Sequence, residues 1–184
     1  MNITVLDLEQ NQPSGTVIEI GAVACNLKSG RILNRYSTLV ALNEVYDPDV
    51  QVLTGITPEM LKTAPCFPVA VAGFWSWFEN NNTGHRLWSW GPDHWELKRQ
   101  SLAAGFQPPK MHACNAKDIA SFFRLAAGGP QKGGLANALN LFEVAAVGPR
   151  HRALPDAEDT AVLMCKLFKE AQTVFRIKEL LRNG

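Results

Sequence analysis

The first forty residues contain three apolar, β-rich stretches separated by turn sequences, at residues 3–9, 16–27 and 31–40. Pro-Ser-Gly at residues 13–15 lies between the first two stretches, and Lys-Ser-Gly at 28–30 lies between the last two. Short connections rich in glycine and proline join antiparallel neighbours. The pattern therefore predicts an antiparallel three-strand meander, which needs helices to cover its apolar side chains.

From residue 57 onward, helical and strand signals alternate, which favours an α/β layered domain with a mixed sheet. Thr57-Pro58-Glu59 places a capping residue, a proline at the first helical position and an acid in the first turn of a helix. The other predicted elements are helices over residues 69–79, 93–104, 117–126 and 135–142, strands over 86–90 and 111–113, and a long C-terminal helix that opens near Pro155.

The size and charge of the chain limit its class. With 184 residues, 46% of them hydrophobic and 19% charged, it is typical of one folded globule, so we expect a single domain over residues 1–184. Its formal net charge of +1 excludes a strongly basic nucleic-acid coat protein. A local basic rim around a small site stays open, because bulk charge does not report on local patches.

Neither export nor a membrane span is expected. Residues 1–9 contain no basic leader, and the longest nearly apolar run, at 66–75, is shorter than the roughly 18 residues that a membrane span needs. The four cysteines are far apart and form no CxxC pair, which favours reduced thiols over a disulfide framework or a zinc site. We therefore expect a cytoplasmic protein without membrane contact.

Two acids share one face of the first predicted strand. Side chains alternate along a strand, so Asp7 and Glu9 lie on the same side as Ile3 and Val5. The apolar pair indicates that this face is covered by core, and two like charges beside a core need a counter-ion, for which a divalent cation is suited. The alternative is that both acids are simply solvated at a strand end.

Three residues farther along could complete such a site. Asp93 follows the strand at 86–90 and begins a helix, and Asp156 begins the last helix. Either acid could instead be an ordinary helix N-terminal residue. His151 lies in the loop before Asp156, where an imidazole could accept a proton from metal-bound water. The other histidines are interpreted as loop residues without a catalytic task.

These residues resemble the three motifs of the DEDDh 3′-5′ exonucleases, the DnaQ-like family of the ribonuclease H-like superfamily. The motifs are Asp7-Leu8-Glu9, Asp93 after a strand, and His151-x-Ala153-x-x-Asp156-Ala157. The likeness covers roughly residues 3–167. Trp88-Ser89-Trp90-Gly91 resembles the Eri-like and KapD-like branch. Further stretches that are similar to the family lie at residues 17–22, 54–57 and 134–135.

The resemblance implies a ribonuclease H-like fold, with a mixed five-stranded sheet made of the antiparallel meander plus parallel strands and flanked by helices. It implies that Asp7, Glu9, Asp93 and Asp156 hold two Mg²⁺ or Mn²⁺ ions, and that His151 deprotonates the attacking water. The expected reaction is release of nucleoside monophosphates from the 3′ end of single-stranded DNA or RNA. It leaves open a homodimer and a partner such as a polymerase in replication, repair or RNA processing.

The chain departs from the family pattern at two places. Gln10 follows the acidic pair where many relatives have threonine, and the second motif offers Glu96 as a fallback ligand beside Asp93. As substrate contacts we expect Gln10, Trp95, and the two arginines that flank the histidine. These arginines are Arg150 and Arg152.

For the aromatic and basic residues, purely structural roles stay open as alternatives. Core packing explains most tryptophans, and a solvated surface role explains the arginines about as well as phosphate contact. Two other functions also stay open: a non-catalytic module of the same fold that binds nucleic acid or a protein partner, and an endonuclease. A module that only binds has no need for the histidine.

Overall fold

The computed structural model describes residues 1–81, 83–110, 116–126 and 134–183. Within these residues, five strands form one sheet in the order β3-β2-β1-β4-β5. The β1–β2 and β2–β3 pairs are antiparallel, whereas β1–β4 and β4–β5 are parallel. The strands are β1 (Asn2–Gln10), β2 (Val17–Asn26), β3 (Arg31–Leu39), β4 (Leu87–Ser89) and β5 (Ala116–Asp118).

Helices lie on the faces of this sheet. None of them, as far as the chain is described, is long and apolar enough to cross a membrane. The helices in the described ranges are α1 (Pro48–Thr54), α2 (Pro58–Lys62), α3 (Phe67–Asn80), α4 (Asp93–Ala103), α5 (Ile119–Ala126), α6 (Leu135–Leu141) and α7 (Ala153–Asn183). The predicted α/β architecture, with an antiparallel meander followed by parallel strands, is confirmed.

The sequence prediction was wrong where the chain enters α5. A helix was predicted over residues 117–126, but residues 116–118 form the edge strand β5 and α5 begins at Ile119. Asp118 ends the strand and caps the helix, since its Oδ1 accepts a hydrogen bond from the Ser121 N–H at 3.2 Å. A three-residue strand is too short to show a period of two. The strand predicted at 111–113 lies outside the described residues.

Helix α1 was not predicted, although its signals are in the sequence. Asp47 caps its first turn by accepting hydrogen bonds from the N–H groups of Asp49 and Val50, at 2.7 and 3.2 Å. Pro48 occupies the first turn, and Gly55 ends the helix in the left-handed conformation with φ 68°. These are the preferred residues at the two ends of a helix.

The two faces of β1 pack against different helices. Leu6 and Leu8 belong to a core cluster with residues of α3 and α4. Ile3 and Val5 belong to a second cluster, which contains residues of α7. Asp7 and Glu9 continue this second face, as the period-two pattern predicts, and are partly exposed. The first strand therefore carries both acids to the border of the core under α7.

Helix α7 packs unusually close to β2. Ala153, Ala157 and Ala161, spaced by one turn, are fully buried. At Gly21, a Cβ atom would lie 2.1 Å from the carbonyl carbon of Ala153 and equally near the nitrogen of Leu154. Gly21 is paired with Asp7 across the β1–β2 ladder. The absence of a side chain at this glycine therefore lets the first turn of α7 lie next to Asp7.

Replacing this glycine should disrupt the packing of α7. For Gly21→Ala we expect a loss of about 1–3 kcal/mol in the free energy of unfolding, because the added methyl group meets backbone that has to move. Urea denaturation measures this loss. Gly134→Ala is the control, since nothing lies within 4 Å of its Cβ position. In that variant, alanine is a poorer helix cap than glycine, which destabilises the fold, but it also restricts the unfolded chain, which stabilises the fold. The two effects nearly cancel, so we expect the free energy of unfolding to change by no more than about 0.5 kcal/mol. Equal losses in both variants would contradict the close-packing argument.

Candidate active site

Three carboxylates meet where β1 ends beside the first turn of α7. Asp7, Glu9 and Asp156 each offer an oxygen atom, and these oxygens all lie within 4.8 Å of one another. Asp7 and Glu9 come from one face of β1, and Asp156 comes from α7, which the close contact at Gly21 holds against the sheet. The structure therefore brings together three of the four predicted ligands.

The fourth predicted ligand, Asp93, lies next to this group at the start of α4. The chain turns from β4 into α4 at Gly91, whose φ of 101° favours glycine. The Asp93 carboxylate accepts a hydrogen bond from the backbone N–H of Leu8. It also repels the carboxylates of Asp7 and Glu9 electrostatically. Strand β1 thus contacts Asp93 through its backbone and carries the other two acids on its side chains.

The four carboxylates hold their protons more tightly than usual. Burial, followed by repulsion from Asp93, Glu9 and Asp156, raises the pKa of Asp7 well above its ordinary value. Burial, followed by repulsion from Asp156, raises the pKa of Glu9 to about 8. Burial raises the pKa of Asp93 to about 7 and is also the main cause of the raised pKa of Asp156. In the metal-free protein, burial and mutual repulsion therefore oppose full ionisation of these acids near neutral pH.

This set of donors fits a hard divalent cation. Each group offers carboxylate oxygens, which Mg²⁺ and Mn²⁺ prefer over nitrogen or sulfur. The raised pKa values follow from burial and, for Asp7 and Glu9, from repulsion by neighbouring acids, so the ionised acids need a positive partner that the protein supplies only in part. A cation between the oxygens would supply the missing positive charge.

The loop before α7 carries His151 beside the acids. His151 adopts a left-handed backbone with φ 57°, which is uncommon for a residue other than glycine. Its N–H donates to Oδ2 of Asp156 at 3.1 Å. Farther back in the same loop, the N–H of Val147 donates to Oδ1 of Asp159 at 2.7 Å. Two acids of the first turns of α7 therefore fasten the loop, and His151 lies half-buried next to a candidate ligand.

The two arginines that flank His151 have different surroundings. Arg150 is exposed. Arg152 forms a bidentate ion pair with Glu19 of β2: Nε donates to Oε2 at 3.0 Å, and Nη2 donates to Oε1 at 2.8 Å. The N–H of Ala153 also donates to Glu19 Oε2 at 3.0 Å. Arg152 is thus engaged by a protein carboxylate, whereas the surface of Arg150 faces solvent. Glu19 was missed in the sequence because it is 133 residues from its partner.

Glu96, the fallback ligand, is engaged away from the carboxylate group. Arg99 Nε donates to Glu96 Oε2 at 2.9 Å, and Arg99 Nη2 pairs with Oε1. Gln100 Nε2 donates to the same Oε1 at 2.6 Å. The hydrogen bond from Arg99 is the main cause of the lowered pKa of Glu96. Asp93, with its raised pKa, and Glu96 therefore have opposite electrostatic environments on the same helix.

An open pocket adjoins Asp93. Trp95 is 52% exposed there, and Lys98 Nζ lies 5.6 Å from the centroid of its ring. By contrast, Trp75 is buried in the core, as expected from the apolar α3. Two of the predicted substrate contacts, Gln10 and Trp95, therefore lie together. The pocket is lined by Gln10, Pro92, Asp93, Trp95, Glu96 and Arg99.

The interpretation of His94 as a loop residue was wrong. It lies in α4 and is buried, with Nδ1 2.6 Å from the Ser89 hydroxyl. That hydroxyl donates to the carbonyl of Gly91 at 2.7 Å, and the Gly91 N–H donates to Asp118 Oδ1 at 2.9 Å. These contacts fix the turn that presents Asp93. A serine five residues before a histidine gave no clear signal of this contact in the sequence.

A mixed sheet with acids gathered at the end of its central strand is the architecture of a metal-dependent nuclease of the ribonuclease H-like fold. The family model RNase_T, described as an exonuclease, matches residues 4–164. The chain therefore belongs to the RNase T exonuclease family and is a nuclease. No curated protein sequence matches the chain.

Three solved structures illustrate the fold. A 3′-exonuclease solved for its recognition of the histone mRNA stem-loop has a TM-score of 0.78 at 18% identity, covering 92% of this chain and 82% of that chain. The nuclease domain of 3′hExo, a DEDDh family member bound to rAMP, has a TM-score of 0.76 at 19% identity, covering 92% of both chains. S. pombe Pop2p with bound Mg²⁺ and Mn²⁺ has a TM-score of 0.65 at 13% identity, covering 90% of this chain and 81% of that chain.

The raised pKa of Glu9 makes the stability of the metal-free protein depend on pH. The folded state binds this proton more tightly than the unfolded state, in which the pKa is near 4.5, so ionisation of Glu9 destabilises the fold progressively up to pH about 8. In chelator, the advantage of Glu9→Gln over the wild type in free energy of unfolding should therefore grow as the pH rises from about 5 to about 8.

Urea denaturation at several pH values measures this difference. Comparison of the two proteins removes the other titrating groups that are independent of Glu9. A difference that stays constant or shrinks with rising pH would contradict the raised pKa.

Proposed function

We propose that this nuclease is a 3′-5′ exonuclease of the DEDDh type, which removes nucleoside monophosphates one at a time from the 3′ end of single-stranded DNA or RNA. The observation that carries the proposal is the meeting of Asp7, Glu9 and Asp156 within 4.8 Å, with Asp93 beside them, in a chain of the exonuclease family. In this proposal residues 1–184 act as one domain.

In this proposal Asp7, Glu9, Asp93 and Asp156 hold two Mg²⁺ or Mn²⁺ ions. Such ions, when bound, stabilise both the attacking and the leaving oxygen of an in-line displacement at phosphorus. The protein contributes the fixed position of the acids, since three elements that bear them are held by β1 pairing, by the turn before α4 and by the contact of α7 with Gly21. The Pop2p structure supports the choice of ions because it contains both.

His151 accepts the proton of the attacking water. Histidine suits this role because its ordinary pKa is near neutral, so a useful fraction is unprotonated when the reaction runs. The bond from its backbone N–H to Asp156 holds it beside a proposed ligand. The proton leaves the water as the water oxygen attacks the phosphorus of the last nucleotide, and the 3′ oxygen of the preceding nucleotide departs and takes a proton from solvent.

The 3′ nucleotide contacts the pocket beside Asp93. Trp95 offers an exposed ring on which a base can stack, and the Gln10 amide offers a donor and an acceptor to the sugar or base. Arg150, exposed next to His151, offers a cation to the phosphate. The structures bound to stem-loop RNA and rAMP support a nucleic-acid 3′ end as the substrate class.

Asp93 and Glu96 provide a matched test of the proposed ligand set. We expect Mn²⁺ to raise the melting temperature of the wild type, because the ion binds the folded state and relieves the repulsion between the carboxylates. Asp93→Asn should lose most of this shift and most of the activity, whereas Glu96→Gln should keep most of the shift. Thermal unfolding with and without Mn²⁺ measures the shift. The reverse pattern would assign the role to Glu96.

The direction and the base are tested with labelled oligonucleotides. The wild type with Mg²⁺ should release mononucleotides from a single strand with a free 3′ hydroxyl and none from a strand with a blocked 3′ end. His151→Ala should release the same products about 10²- to 10⁴-fold more slowly, as expected when a general base is lost.

Other product patterns would contradict the proposal in distinct ways. Cleavage of a blocked or circular strand would indicate an endonuclease. Binding of DNA and RNA without any release would indicate a non-catalytic module. Parallel digestion of DNA and RNA strands of one sequence then shows which sugar the enzyme prefers.

A further inference from the structure

Glu19 lies beside the proposed metal site but is not free to bind a cation. It is paired with Glu9 across the β1–β2 ladder and is only 1% exposed. Its two oxygens accept three hydrogen bonds, two from Arg152 and one from the N–H of Ala153. A buried carboxylate is stable when its charge is paired and its oxygens are bonded. Glu19 therefore binds the two residues that follow His151 instead of a cation.

The contacts of Glu19 fix the chain on one side of His151. Arg152 and Ala153 are the next two residues, and both are bonded to Glu19. The N–H of His151 itself donates a hydrogen bond to Asp156. Its left-handed backbone is unfavourable for histidine, so it persists only where the surroundings hold it. The two sets of bonds supply that restraint.

We propose that Glu19 is a positioning residue, which sets the place of His151 through Arg152 and the Ala153 amide. This inference rests on the proposed role of His151 as the base. It differs from the phosphate contact predicted for Arg152 from the sequence, because the guanidinium donates two bonds to Glu19 instead of lying open like Arg150.

Positioning has a kinetic signature that simple stabilisation lacks. A base that moves by about 1 Å can lose a factor of about 10² in rate without changing the affinity for substrate. Once the base has been removed, its position no longer matters. The effects of changing Glu19 and His151 should therefore not multiply.

The experiment is a double-mutant cycle of Glu19→Gln and His151→Ala. We expect Glu19→Gln to lower kcat about 10- to 100-fold with KM within about twofold. The double variant should be no slower than His151→Ala within about threefold. The rise in melting temperature caused by Mn²⁺ should persist in Glu19→Gln, which shows that the protein is folded and that the acids still meet.

Glu158→Gln is the matched control. Glu158 is also a buried glutamate that links α7 to the sheet through an arginine, since it pairs with Arg35 of β3. It makes no contact with Arg152 or Ala153 among the bonds of the described residues. The kcat of Glu158→Gln should stay within about twofold of the wild-type value.

Arg152→Lys tests the same link if Glu19→Gln does not fold. Lysine keeps the charge but cannot reproduce the planar pair of bonds to Glu19. We expect a lower kcat, an unchanged KM and no further loss in the His151→Ala background.

Each contrary result has a distinct meaning. Equal rate losses from Glu19→Gln with and without His151 would overturn the inference in favour of a general structural role. A raised KM with unchanged kcat would overturn it in favour of substrate binding by Arg152. Wild-type kcat in Glu19→Gln, with slow His151→Ala, would overturn only the inference. Wild-type kcat in His151→Ala would instead contradict the proposed function.

Discussion

The site depends on packing that forces like charges together. Asp7 and Glu9 belong to β1, Asp156 belongs to α7, and their oxygens approach within 4.8 Å because α7 lies directly on Gly21. The core that holds this helix against the sheet also sets the electrostatic cost, which the raised pKa values of the carboxylates express. Stability of the metal-free fold and affinity for a divalent cation are therefore opposite results of one arrangement.

Much of the fold was predictable because its signals are local. Alternation along β1 placed Asp7 and Glu9 on one face, and the predicted helix starts at Asp93 and near Pro155 lie within two residues of the observed ones. Contacts between remote residues were not predictable. The bond from the Leu8 amide to Asp93 and the Glu19–Arg152 pair join distant parts of the chain, and neither leaves a periodic pattern.

The two arginines around His151 show that a residue's role does not follow from its position in the sequence alone. In the sequence they are equivalent, since each is adjacent to the histidine. The fold separates them, because β2 offers the buried Glu19 to Arg152 alone among this pair, whereas Arg150 stays exposed. A charge near a catalytic motif can therefore hold the protein or the substrate, and the distinction depends on which strand lies behind the loop.

The alternation of side chains along β1 limits the insertions and deletions that this strand can accept during evolution. Leu6 and Leu8 pack into the core with α3 and α4, whereas the odd residues lead from Ile3 and Val5, in the core with α7, to the two acids. One residue inserted or lost between Val5 and Asp7 would turn both acids toward α3 and α4. Point substitutions along this strand preserve that parity, but a change in its length does not. Insertions and deletions should therefore be confined to the connections that leave the strand.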